Sequence, residues 1–508
     1  MAQSARSRAA FISILTILIA LHLVLIATTR LFPFIDLPNH LAAATIHRHL
    51  NEPGTNFAAY YLPDLFPKPN VFHALFCSIP LFPSVESANR AFLALYAVLL
   101  PLSLLLVIAR LGGNRWFSLL SFPLLYNYNL SWGFVGFAFS IPIVFFFLYL
   151  LIEHLRDGSI WYRYVASILM VFLFFVHALA AIFASVLLLA CIFLAGRRSF
   201  SWAAQRCAMI LPVLTMLIAW WKVEASHYGG QGTARFLGTY YRQEYFTTFV
   251  DRRSIFFLDN NHLFEGSNGY LIGLAFSLCI ILPVLVLLIL RRRPCNHWGS
   301  VEGRFSLALL IPALACFIIL PNQIPRQAIL YQRFSVLVLL SVIVLGSTLM
   351  RRPLRMPAAA GIVAACLLHF LLWAGYFIDF NRENAGFRSS FLPDGRRGGV
   401  LAGLVYDYRF RGKPVYIHFP SYYIIWQRGV ASTKIVDYRF GIIRRKVGHR
   451  ELPLYEEWIG VLPEYDGRYE NVDFLLVRGD PTPGHTEDLA GFTPLRAEDA
   501  WTLYKRMK

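Results

Sequence analysis

Charge is scarce in this chain. Only 15% of its residues are Asp, Glu, Lys or Arg, against 57% hydrophobic, and the mean hydropathy is +0.53. Residues 133–152, 270–290 and 335–350 hold no charged side chain at all. No soluble globular protein of 508 residues needs so much apolar surface, so that class is excluded and a polytopic membrane protein is left. Acidic residues are the scarcer sign, 29 against 47 basic ones, and the formal net charge of +18 invites a nucleic-acid reading. The arginines cluster in short loops between apolar runs, where they serve as an orientation signal, so no nucleic-acid partner is expected. Cysteine is sparse as well. The seven cysteines show no CxxC spacing and no zinc-type cluster with histidine, and none lies beyond residue 380. The tail after that point therefore needs no disulfide. Internal repeats and low-complexity segments are also absent.

What is present is a series of apolar runs near 9–29, 91–109, 116–127, 133–152, 163–177, 178–195, 207–223, 270–290, 305–320, 334–350 and 357–378, about eleven spans. Arg6 and Arg8 precede the first run, and Arg30-Leu31-Phe32-Pro33 follows it in place of a small-residue cleavage site. That run reads as a retained span rather than a signal peptide. With the N-terminus in the cytoplasm, alternation puts 110–115, 153–163, 197–206, 291–304 and 351–355 inside, and nearly all of these loops are basic. Merging the two crossings at 163–195 would turn the triplet Arg291-Arg292-Arg293 outward, so two crossings are preferred, with His177 at the bend.

The outer side then receives a loop at 30–90, the turn at 127–132, a polar and aromatic loop at 225–269 and the tail. The sequence predicts a mainly α fold, a membrane module over 1–380, and a small extracytoplasmic α/β domain over 381–508. Within that domain 413–419, 472–478 and 501–504 read as strands and 396–407 as a helix. Val71–Leu81, bounded by Pro69 and Pro80, is too short to span and reads as an interfacial helix.

The stretch Phe32-Pro33-Phe34-Ile35-Asp36-Leu37-Pro38-Asn39-His40 follows the first span. Asp36 and His40, four apart, share one face of a helix, and His47 continues the stripe. Asp36 also precedes Pro38 by two residues, the pattern of an N-cap with proline in the first turn. Other polar residues crowd the outer ends of the spans, namely His73, Asn127, Asn129, Trp132, His177, Lys222, Glu224, Arg326 and Arg333. The span middles are clean, whereas transporters and pumps place ionisable groups near the midplane. A site at the outer membrane face suits an enzyme with a partly lipid substrate. Plainer readings exist for each residue: Asp36 as a cap, His40 and His47 as interfacial helix residues, His177 bonding a bent backbone, Arg326 and Arg333 anchoring at the interface.

Asp36-Leu37-Pro38-Asn39-His40, Tyr128-Asn129-Leu130-Ser131-Trp132-Gly133-Phe134 and Gln332-Arg333-Phe334 resemble bacterial members of the GT-C superfamily, membrane glycosyltransferases that use polyprenyl-phosphate sugars. The likeness covers most of the chain in layout. Two branches fit less well. Leu37 follows Asp36 where protein O-mannosyltransferases have an Asp-Glu pair, and Trp220-Trp221-Lys222 is not the Trp-Trp-Asp of oligosaccharyltransferases. The resemblance implies an inverting transfer on the periplasmic face of a bacterial inner membrane. Asp36 would be the general base, and Arg333 with Arg326 would hold the donor phosphate. His40, His73, Asn129, Trp132 and His177 would border the substrates. A divalent ion (Mg or Mn), if used, would fall to Asp36 and His40. Glycan, lipid or protein could be the acceptor. The alternative function is a lipid or polysaccharide transporter or flippase.

Overall fold

The computed structural model of the chain describes residues 2–65, 68–194, 199–228, 300–324, 327–351, 354–432, 441–446, 471–480 and 489–507, with part of 275–285. The chain divides into two compact units. The first comprises Met1–Ile26, Ala94–Leu130 and Gly136–Ala374, and the second Ala27–Leu93, Ser131–Val135 and Gly375–Lys508.

This is a multi-pass membrane protein with a C-terminal mixed sheet. Among the described residues, seven helices are long and apolar enough to cross a membrane: Ser7–Thr28, Val85–Arg110, Val135–Arg156, Phe200–Val223, Val301–Ile319, Tyr331–Leu349 and Met356–Glu383. Ile160–Val176 and Ala178–Leu194 are shorter apolar helices of 17 residues each. They meet at His177, whose extended backbone (φ −165°) breaks the helix. The run near 270–290 lies mostly outside the described residues, as do the loop at 225–269 and Arg326.

The expected span at 116–127 is not an α-helix. Arg115–Leu124 forms a 3₁₀ helix, opened by the Asn114 side chain accepting from the Trp116 N–H at 3.1 Å. The Ser118 and Ser121 hydroxyls donate to carbonyls three residues back, as a three-residue turn demands. At about 2.0 Å rise per residue, ten residues of 3₁₀ helix cover about 20 Å, where an α-helix covers about 15 Å. The segment does carry the chain lengthwise. Asn114 donates its N–H to the Ser347 carbonyl at one end, and Leu125 accepts from the Tyr96 hydroxyl toward the other.

Ion pairs fix which ends of the first unit face the same way. Arg110 pairs with Glu153, and Glu302 takes Arg156 at 2.9 Å and Arg351 at 3.3 Å. These ends of four of the apolar helices therefore lie together.

In the second unit the tail folds around a five-stranded sheet. We number its strands β1 (Val400–Val405), β2 (Val430–Ala431), β3 (Phe474–Arg478), β4 (Phe492–Glu498) and β5 (Trp501–Arg506). The order is β2-β1-β3-β5-β4, with β1 parallel to β2 and β3 and the remaining pairs antiparallel. The strands read at 472–478 and 501–504 are present. The helix expected at 396–407 is instead β1. All six of its residues are buried, and a strand covered on both faces shows a continuous apolar run that periodicity cannot tell from a helix. The strand expected at 413–419 is a series of turns leading into a 3₁₀ turn at Phe419–Ser421, because Pro414 and Pro420 cannot donate to a ladder.

Ala402, Leu404, Val472, Leu475, Val477 and Phe492 form the sheet's own core. The same unit carries the loop at 30–90 as helices Leu37–Arg48, Phe57–Tyr60 and Phe72–Ser78, and its Tyr61–Pro63 pairs antiparallel with Ile443–Arg445.

Candidate active site

Asp36 stands at the N-cap position of Leu37–Arg48, yet its carboxylate makes no capping hydrogen bond. The cap reading is thereby corrected. Pro38 has no N–H to offer in the first turn, and the side chain turns outward to the tail. Oδ1 accepts from Nε2 of His418 at 3.2 Å. The Asp36 side chain remains 24% exposed while that of His418 is 2% exposed. No other protein hydrogen bond reaches the Asp36 carboxylate among the described residues.

The backbone around Asp36 is held by the segment Ser131–Val135. Ile35 and Asp36 donate their N–H groups to the carbonyls of Ser131 and Trp132, each at 3.1 Å. Gly133 permits this approach. Its φ is +84°, and a Cβ there would lie 2.6 Å from the Asp36 nitrogen and 2.7 Å from that of Leu37. Trp132 stays half-buried with its ring stacked on Phe134. The Ser131 hydroxyl accepts from Nζ of Lys413 at 3.0 Å, a buried ammonium that also lies 5.7 Å from the Tyr376 ring centroid.

His418 is placed by packing. Phe419 stacks on Trp501 with centroids 5.4 Å apart, and Phe387 packs on both rings. Ser421 donates to Oδ1 of the fully buried Asn39, one turn into the Asp36 helix.

His40 and His73 meet edge to face at 6.0 Å. His73 is buried, with Nε2 2.9 Å from Oδ1 of Asn89 and 3.5 Å from Sγ of Cys77. This is no nucleophilic Cys/His pair. Both contacts use one ring nitrogen, burial pushes the Cys77 thiol up, and burial together with His40 pushes the His73 imidazole down to about 3. A folded-state value below the unfolded 6.5 means that protonation favours the unfolded chain, so stability is full above pH 6.5 and falls as the pH drops toward 3. Between pH 6.5 and 5 the cost from His73 alone is about 2 kcal/mol. Thermal melts of the solubilised protein are therefore expected to fall over that range, and to fall less in His73→Gln. An equal fall in the variant would remove His73 as the cause.

In the first unit Arg333 sits in the 3₁₀ turn Tyr331–Phe334. Nη1 lies 3.0 Å from Nε2 of His177, while Nε and Nη2 donate to the carbonyls of Ile329 (2.9 Å) and Ala328 (3.2 Å). Ile329 has φ +61°, a strained conformation for a β-branched residue. Asn129 donates to the Arg333 carbonyl at 3.3 Å. Among the described residues, Nδ1 of His177 and Oδ1 of Asn129 are buried with no protein partner.

The residues singled out from the sequence thus form two groups within separate units: Asp36, His40, His73 and Trp132 in the second, Asn129, His177 and Arg333 in the first. The stripe of Asp36, His40 and His47 does not act together. Asp36 pairs with His418, His40 meets His73, and His47 lies in the last turn of the helix. Among the described residues no three His, Cys, Asp or Glu side chains stand together as a metal site, so Asp36 and His40 gain no third ligand of these types there. Sequence reasoning missed His418, Lys413 and Ser421. In the sequence Lys413 and His418 read as part of a strand over 413–419, and nothing links that segment to Asp36.

No protein-family model matches this chain, and comparison with curated proteins finds no match.

Proposed function

We propose that the chain is a membrane glycosyltransferase of GT-C type that moves a sugar from a polyprenyl-phosphate donor to an acceptor hydroxyl on the outer membrane face. One observation carries this reading. Asp36 is a carboxylate 24% exposed, with one oxygen engaged by His418 and no capping duty, held by the segment Ser131–Val135, which carries the last four residues of the second motif of the resemblance. Such a carboxylate is suited to take a proton. Asp36 deprotonates the acceptor hydroxyl, whose oxygen attacks the anomeric carbon. The bond from that carbon to the phosphate oxygen breaks, and the polyprenyl phosphate leaves with the electron pair and inverts the centre. Arg333, backed by His177, is the group assigned to the leaving phosphate, where developing charge is stabilised most in a low-dielectric setting. Arg326 is assigned with it on sequence alone.

The topology belongs to the same proposal. About eleven crossings, with the N-terminus and the basic loops inside a bacterial inner membrane, are supported by the shared face of Arg110, Glu153, Arg156, Glu302 and Arg351. A topology reporter placed after residue 380 is expected to read outside, and one placed within 291–304 inside. Reports from the same side would overturn the alternation.

The functional test is a lipid extract of cells lacking the gene. It is expected to contain an accumulating polyprenyl-phosphate sugar that the wild-type gene clears. Vesicles that carry a labelled lipid sugar across the bilayer without forming product would establish the transporter instead.

A further inference from the structure

We propose that His418 is a positioning residue for Asp36, so that the tail supplies part of the site. The consequence for catalysis rests on Asp36 being the base. Nε2 of His418 faces a carboxylate oxygen at 3.2 Å, and a carboxylate offers only lone pairs, so the proton between them resides on Nε2 and His418 donates. His418 is buried and immobilised by its neighbours Phe419 and Ser421. A donor fixed in this way limits the rotation of the carboxylate. The other groups facing Asp36 do not substitute for it. Its own helix offers His40, which meets His73, and Ser131–Val135 contains no titratable side chain. From the tail, Lys413 reaches the Ser131 hydroxyl. His418 lies 382 residues from Asp36 and belongs to no motif of the resemblance.

The test uses the full-length protein in native membrane vesicles and dicyclohexylcarbodiimide, which adds to protonated carboxyl groups. The rate of modification of the Asp36 peptide is followed by mass spectrometry at one fixed pH. A hydrogen bond to a charged group is worth a factor of about ten or more, so His418→Leu and His418→Phe, which free the carboxylate, are expected to be modified about tenfold faster than wild type. His418→Gln retains an N–H donor and is expected to stay near wild type. Two replacements of different shape guard against a folding defect in either one. Unchanged rates in both apolar variants, or a Gln variant modified as fast as they are, would overturn the proposal. Labelling needs no substrate, so this outcome is separate from the base assignment. An active Asp36→Asn protein would sink the base while leaving the His418 contact standing.

Discussion

Asp36→Asn is expected to express, insert and fold normally, and to lose at least about a hundredfold in transfer rate. The structural reason for normal folding is specific. The carboxylate caps nothing, and an asparagine Oδ1 accepts from His418 as the carboxylate does. The chemical reason for inactivity is equally specific, since an amide does not take up a hydroxyl proton at neutral pH. Asp36→Ala is expected to be as inactive and less stable, because it removes the carboxylate that the buried His418 bonds, a loss of about 1–3 kcal/mol. The measurement is clearance of the polyprenyl-phosphate sugar in cells lacking the native gene, beside a thermal melt of each purified variant. An Asn variant that clears the donor at the wild-type rate ends the base assignment.

Gly133→Ala is expected to be the most damaging single-methyl change in the Asp36 group. A left-handed conformation costs alanine about 1–2 kcal/mol. Here the new methyl also meets the Asp36 nitrogen at 2.6 Å, the Leu37 nitrogen at 2.7 Å and the Asp36 Cα at 2.9 Å. All three are backbone atoms, so no flexible side chain can give way. The N–H bonds from Ile35 and Asp36 to Ser131 and Trp132 must lengthen, and the carboxylate moves with them. A lowered melting temperature together with an activity loss as deep as that of Asp36→Asn is expected. Gly112→Ala is the control, because φ is +65° there but nothing lies within 4 Å of the added carbon. If both glycine variants lose the same stability and both remain active, close packing at Gly133 does not hold Asp36.

The sequence by itself determined the class of the protein. Long charge-free runs and basic loops are one-dimensional signals, and a bilayer reads them almost residue by residue. It also located Asp36 before a helix, the short helix within 71–81, and the strands at 472–478 and 501–504, where apolar pattern and turn residues agree.

Tertiary structure decided what those signals leave degenerate. A ten-residue apolar segment at 115–124 became a 3₁₀ helix, bonded by the Leu119 carbonyl to Cys366, and a buried run at 400–405 became a central strand. At 400–405, burial on both faces erased the periodicity that separates helix from strand. The partner of Asp36 was likewise beyond reading. A carboxylate that starts a helix looks like a cap in any local window, and only the fold of the tail brings a buried imidazole, 382 residues away, to the oxygen that a cap would have used.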